Sequence, residues 1–390
     1  MNHKKKTADA VVIGGGVIGC SILYHLCVQN MNNVILLEKD VLGSGSTGRS
    51  QTICRTHYSN EITSIMARDS LNIFNNFSEI VGGQSGFVNT GYIVVVNQSD
   101  TDGLRNNLRM QQNLGINTSE IDSAQLRDIA PMIRTSGDEL LAWEPDSGYA
   151  DSYQVTTSFA NRARDMGADI HLRNPVTGIE IENGAVKSVT TPDGTIATRK
   201  VIICSGPWSK EIMNSVRVEV PLSTVRHQIA TIVRPADKIP DHPIVGDIAQ
   251  SFSLRPEGTS MTLVGFGEDE AKVDSYNEGV DLDDIPLVLS RLINRMPDMD
   301  QAYFRGGWSG LFTITPDWHP ILDEIPGVEG LYCAVGFSGH GFKLAPSIGE
   351  VISKLVVGDE ISNVDISQLR FTRFEQNDVL TSSYHYNVLA

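Results

Sequence analysis

Cysteine is scarce in this chain of 390 residues, and the five present, Cys20, Cys27, Cys54, Cys204 and Cys333, show no C-x-x-C spacing and leave one over from any pairing. A disulfide scaffold and a cysteine-built metal site are thereby excluded, no metal is expected, and a reducing compartment, the cytoplasm, fits the thiols best. Basic residues are outnumbered: 31 Lys and Arg against 47 Asp and Glu give a net charge of −16. Binding to polyanions draws on clustered cations, and none follow Lys4, Lys5 and Lys6, so nucleic acid is not an expected partner. No apolar stretch reaches the about 18 residues that a membrane span needs. The basic start and the apolar run from Ala10 imitate a secretory signal, but Gly14, Gly15 and Gly16 break the run and no small-residue cleavage site follows, so the segment reads as mature structure. Repeats and low-complexity tracts are missing as well. What remains is the composition of an ordinary folded protein, 41% hydrophobic and 20% charged, long enough, at about 150 residues per domain, for two to three domains.

The strongest signal lies in the first fifty residues. Ala10, Val11, Val12 and Ile13 form a short apolar run of the kind a buried parallel strand requires. Directly after it comes a glycine turn, then Ile18, Ile22, Leu23 and Leu26 at helical spacing, then a second apolar run from Val34 to Leu37. Strand, glycine turn, helix, strand is the geometry that holds a dinucleotide. Gly14 makes the tight turn, Gly16 lets the backbone approach the pyrophosphate, and Gly19 lets helix and strand pack closely. The unpaired N–H groups of the first helical residues, Val17 and Ile18 among them, face the phosphates at the positive end of the helix dipole. Glu38, with Lys39 beside it, ends the second strand, where an acid accepts hydrogen bonds from ribose hydroxyls and repels a 2′-phosphate.

The next loop, residues 42–51, is rich in glycine and hydroxyl side chains and carries Ser46, Thr47, Arg49, Ser50 and Gln51. Such a loop can follow a long cofactor, wrapping phosphate oxygens with backbone, hydroxyl and cationic donors. It reads Gly-Ser-Gly-Ser-Thr-Gly-Arg from Gly43 to Arg49 and continues to Ile53, Cys54 and Arg55. In these elements the chain resembles the D-amino-acid oxidase and sarcosine oxidase family of FAD enzymes. Two further segments resemble the same family. One is the apolar run Val201 to Ile203 leading to Gly206, Pro207 and Trp208, preceded by a meander with hairpin turns at Asn183–Gly184 and Asp193–Gly194. The other is the strand from Leu331 to Val335 leading through Gly339, His340, Gly341, Phe342 and Lys343 into a helix, with Pro346 expected in that helix's first turn.

The resemblance covers nearly the whole chain and is closest to sarcosine oxidase and to the flavin subunits of sarcosine oxidase and proline dehydrogenase complexes. It implies an α/β protein with a Rossmann-like FAD-binding domain, residues 1–80, 145–220 and 305–390, and a discontinuous α+β substrate-binding domain, residues 81–144 and 221–304, with a helix near 285–296. It also implies that Val176 meets the adenine through its backbone, that Gly310 lies beside the cofactor, and that the run from Gly339 to Lys343 sits at the N1–C2 edge of the flavin. A helix start and a lysine there would stabilise negative charge on the reduced ring.

Family substrates are amines bearing a carboxylate, oxidised at the C–N bond by hydride transfer to flavin N5. By position, Arg55 and Lys343 match the carboxylate-binding pair, and an arginine grips a carboxylate through two parallel hydrogen bonds. His340 is a candidate for orienting flavin or substrate, and no dedicated base is required if the amine arrives neutral. The departures from the family pattern are equally informative. No cysteine stands in residues 310–313, Arg49 stands where a flavin-linking histidine occurs, and Ala150 to Tyr153 lack another such histidine, so the FAD is expected to be noncovalent. Residues 260–266 lack the lysine with which oxidases activate oxygen, which favours a dehydrogenase. The long C-terminal extension of folate-using relatives is not expected here. Two alternatives stand beside this reading: an FAD-dependent 2-hydroxy-acid dehydrogenase, and a flavin-bearing subunit of a multi-subunit amine dehydrogenase. The expected partners are a small carboxylate-bearing amine, an unidentified electron acceptor, and partner subunits or further copies of the chain.

Overall fold

The computed structural model describes residues 6–235 and 237–384; Lys4 and Lys5 lie outside them. Four buried, mainly apolar strands, Leu331–Val335, Val201–Ile203, Ala10–Ile13 and Val34–Leu37, lie side by side and parallel. Asp169–His171 joins them in parallel at one edge and Ile321–Glu324 antiparallel at the other. Continuous burial on both faces is what a parallel sheet covered by helices demands. The helix Val17–Val28 is buried from Val17 through Cys27 rather than on one face alone, because it is packed against the sheet, against the helix Ser152–Asp165 and against the helix Gly341–Val357. A helix apolar all round belongs in such an interior.

Both hairpin turns form as expected. Gly178–Glu182, Ala185–Thr191 and Gly194–Ala197 make an antiparallel meander, with Asn183 and Gly184 both at positive φ, the geometry that matches the twist of its strands.

An eight-stranded sheet forms the second layer system, in the order Tyr303–Ile314, Ser223–Val233, Met261–Glu270, Phe252–Glu257, Ile244–Asp247, Tyr92–Val96, Leu140–Glu144, Ser119–Ile121. The helix Ile285–Arg295 covers it, burying Ile285, Val288 and Leu292 against Ala230, Ile232 and Val264. Arg295 pins this helix to the sheet through Asp247 at 2.7 Å and Glu139 at 2.8 Å, all three groups being largely buried.

Two expectations need correction. Residues 305–314, expected with the FAD-binding segments, form a strand paired along its length with Ser223–Val233, since alternation along Tyr303–Ile314 suits an edge of the large sheet. Pro346, expected in the first turn of its helix, lies in the second, because the helix begins at Gly341. The missing proline N–H costs one bond of the helical ladder, and the adjacent N–H of Ser347 turns to Ser70 Oγ at 3.1 Å. Among the described residues no helix is long and apolar enough to cross a membrane, and no group of three or more His, Cys, Asp or Glu side chains is arranged to hold a metal.

Candidate functional site

A cavity of about 520 Å³ opens at the carboxyl ends of the parallel strands and runs on toward the eight-stranded sheet. Gly14, with φ +116°, turns the chain out of the first strand so tightly that a Cβ there would meet the Cys204 carbonyl at 2.6 Å. Behind it, a Cβ on Gly19 would fall 1.9 Å from the Gly14 carbonyl oxygen. These contacts bring the start of the helix Val17–Val28 against the cavity with no side chain capping it, leaving backbone N–H groups and the positive dipole end for a ligand. Val17 N–H donates to Thr47 Oγ1 at 3.1 Å, which ties the following loop to the helix start.

Gly16, Val17, Ile18, Glu38, Lys39, Ser46, Thr47, Ser50, Val176, Gly206, Trp208, Gly339, Gly341 and Phe342 line this cavity together with Gly14. The carboxylate of Glu38 accepts from Gly15 N–H at 2.6 Å and Asp40 N–H at 2.8 Å, which fixes it at the strand end with lone pairs to spare. Lys39 Nζ sits 3.4 Å over the Trp208 ring, whose Nε1–H donates to Asp274. Gly19 does not line this cavity; its part is the helix–strand contact.

A second, smaller cavity of about 60 Å³ adjoins the first, sharing Ser46, Ser50, Leu311, Phe312, Gly339 and Phe342 with it. Arg49, Gln51, Arg55, Gly310 and Lys343 line this smaller space. Sequence reasoning grouped Arg49 and Gln51 with phosphate wrapping. Instead Arg49 donates to Ser309 O at 3.2 Å and pairs with Glu278 at 3.0 Å, while Gln51 is bonded to Leu263 O and Ser253. Both are held by the large sheet, a contact that residue order alone could not announce.

Arg55 is 2% exposed, donates to the His57 carbonyl, and lies 4.5 Å over the Tyr58 ring and 5.8 Å over Tyr92. Burial, and then the Arg55 charge, hold the Lys343 ammonium well below its ordinary pKa, with Cys54 acting the other way. Two cations share one small buried space, an arrangement that attracts an anion strongly because little water screens it. Behind them Glu144 accepts from Thr56 N–H at 3.0 Å and Ser147 Oγ at 2.8 Å, and burial raises its pKa. His57 is pushed down to about 3 by burial and the Arg55 charge, and its Nε2 meets the Tyr384 hydroxyl at 2.8 Å.

His340 lines neither cavity. Its ring packs edge-on to Tyr58, with Nδ1 3.3 Å from the Tyr58 hydroxyl, and burial holds it neutral. The structure therefore brings Arg55 and Lys343 together and leaves His340 behind them. Tyr92, His227 and Ser253 also line the smaller cavity and were not singled out in the sequence. One signal was available for His227: Arg226, His227 and Gln228 stand as three consecutive polar residues within the strand Ser223–Val233, between Val225 and Ile229.

The family model described as FAD dependent oxidoreductase matches residues 9–355. Mitochondrial sarcosine dehydrogenase of Homo sapiens is 26% identical over 365 residues, covering 90% of this chain and 40% of that protein. The chain thus spans about two-fifths of the length of that curated relative. Sarcosine oxidase subunit beta of Rhodobacter capsulatus is 23% identical over 358 residues, 90% of this chain and 85% of that one. Among solved structures, L-proline dehydrogenase from P. horikoshii superposes with a TM-score of 0.89 at 27% identity, covering 97% of this chain and all of the other.

Proposed function

The chain belongs to the FAD dependent oxidoreductase family, and from that premise we propose that it oxidises the C–N bond of a small amino acid, secondary, N-methylated or of the D series. The observation that carries this reading is the pair of buried cations, Arg55 and Lys343, in a small cavity continuous with the larger one. A carboxylate bound between them orients the carbon next to nitrogen toward the shared wall of Phe312, Gly339 and Phe342. Relatives named for sarcosine and proline oxidation support the substrate class.

The residues of the larger cavity fit FAD: a cradle at Gly14 that admits no Cβ, an uncapped helix start, hydroxyls at Ser46 and Thr47, and Glu38 for ribose hydroxyls. When bound, FAD supplies the acceptor for the hydride leaving the substrate carbon. The start of the helix Gly341–Val357 and Lys343 offer positive potential at the flavin edge. Reaction as a dehydrogenase, with an electron acceptor other than oxygen, is supported by the absence of lysine from residues 260–266.

The FAD-binding unit comprises residues 6–80, 145–220 and 315–384, and the substrate unit is the eight-stranded sheet with the helix Ile285–Arg295. The FAD is noncovalent, and a cytoplasmic site of action suits the five free cysteines. A partner subunit is the second reading, favoured by the match along 85% of a sarcosine oxidase subunit.

Anaerobic mixing of the holoenzyme with a panel of amino and hydroxy acids tests this directly. Bleaching of the flavin absorbance by secondary or N-methylated amino acids is expected. Bleaching by 2-hydroxy acids alone, or by nothing without an added subunit, would replace the reading with one of its rivals.

A further inference from the structure

The small cavity carries a second polar wall besides its two cations. Gly265 on the strand Met261–Glu270 has no side chain, and a Cβ there would stand 2.5 Å from Gln51 Oε1, 2.8 Å from His227 Nε2 and 2.8 Å from Ser253 Oγ. Three polar atoms from three separate segments therefore converge on one patch of backbone, and all three residues line the cavity. Most of their hydrogens are already committed. His227 Nδ1 lies 3.0 Å from the Gly267 carbonyl, which can only accept, so Nδ1 carries the proton. Burial pushes the ring down to about 4, so it is neutral near pH 7 and its Nε2 offers a lone pair. Ser253 Oγ–H donates to Gln51 Oε1 at 2.8 Å, and the Gln51 amide donates to Leu263 O at 3.3 Å.

His227 Nε2 gives this wall a free acceptor, whereas Arg55 and Lys343 bring only donors. A buried acceptor left without a donor costs free energy, so a ligand matching the whole cavity carries a carboxylate for the cations and an N–H for the wall. We propose that His227, with Gln51 and Ser253, forms an amine subsite that accepts a hydrogen bond from the substrate N–H and so selects primary and secondary amino acids over tertiary ones. The selection rests on the amine-oxidation reading above. It follows from the reactive form: an amine must be neutral to release hydride from the adjacent carbon, and in that form a secondary amine keeps one N–H while a tertiary amine has none.

The test uses the holoenzyme and anaerobic flavin bleaching, with sarcosine and proline as N–H substrates and N,N-dimethylglycine and N-methylproline as their tertiary counterparts. Tetrahydrofuran-2-carboxylate, which has no nitrogen, reports carboxylate binding through perturbation of the flavin spectrum. The wild type is expected to favour the N–H member of each pair by about tenfold or more in kcat/KM. His227→Phe, which keeps an aromatic ring to stack on Phe312, is expected to lower kcat/KM for the N–H substrates by about 10- to 100-fold. It should leave the tertiary amines and the nitrogen-free carboxylate within about twofold. A wild type that prefers tertiary amines, or a variant that slows both classes alike, overturns the subsite and leaves the amine reading standing. Bleaching by no amine at all, with the carboxylate still bound, overturns both.

Discussion

Lys343 shows how one side chain can be a burden to the fold and an asset to the site. Its pKa is depressed by burial and by Arg55, so between the depressed value and the ordinary one near 10.4 the folded protein binds fewer protons than the unfolded chain. In that window the group opposes folding, and the penalty shrinks as pH rises toward about 10. Lys343→Met should therefore raise the melting temperature of the substrate-free protein by a few degrees near pH 7, with the gain fading toward pH 10. The same variant should bind carboxylate ligands at least about tenfold more weakly, because a charge-assisted contact is lost. A melting temperature that falls, or carboxylate affinity that does not change, would remove Lys343 from the clamp. Arg55 and Lys343 were legible in the sequence because each sits inside a short motif. His227 was not, because its companions come from other segments: strand pairing brings Ser253 and Gly265 near, and Gln51 reaches them through its bonds to Ser253 and Leu263. His340 sits in the same motif as Lys343, yet at the N-cap of the helix Gly341–Val357 its ring meets Tyr58, a direction that residue order does not encode.

Among elements, those written by local periodicity were readable and those depending on distant partners were not. The opening strand and helix and the two glycine turns follow from apolar spacing and turn chemistry, whereas the helix Ile285–Arg295 was implied by the family resemblance. The strand Tyr303–Ile314 was assigned to the wrong layer because its partner, Ser223–Val233, lies about eighty residues earlier and nothing local names it. The early start of the helix Gly341–Val357 was also hidden, since a proline in the second turn reads most simply as one in the first. Contact between elements gives the sharpest stability prediction. Gly19 presses the helix Val17–Val28 onto the turn at Gly14, and an added methyl would sit 1.9 Å from a backbone oxygen that cannot swing away. Gly19→Ala should consequently cost about 2–4 kcal/mol, despite alanine's better helix propensity, and weaken FAD retention with it. Chemical denaturation of the purified variant would measure the loss; an unchanged or improved stability would mean that helix and strand are free to separate.

At the scale of the whole molecule, the polypeptide leaves the parallel sheet twice to build the eight-stranded one, and the nucleotide-sized cavity lies where the two meet. The chain carries a net charge of −16, while Arg55 and Lys343 are sequestered in a recess of about 60 Å³. On the proposed reading, a small carboxylate substrate is drawn by a local field strong enough to oppose the overall one. How FAD stays bound is likewise a property of the assembled fold, since no single segment encloses it. A covalent link needs a nucleophile at the cavity wall. The lining of the larger cavity includes no histidine, and its one cysteine, Cys204, lies beneath Gly14 with its thiol held protonated by burial and bonded to the Ile13 carbonyl. On the proposed noncovalent reading, retention depends on folded geometry: the helix start, the Glu38 carboxylate and the hydroxyl loop, each contributed by a different stretch of chain. Precipitating the holoenzyme in acid dismantles all of these at once, so the entire flavin should appear in the supernatant as intact FAD by absorbance and chromatography. Yellow colour remaining in the washed pellet would mean that a side chain outside this wall reaches the flavin and bonds to it.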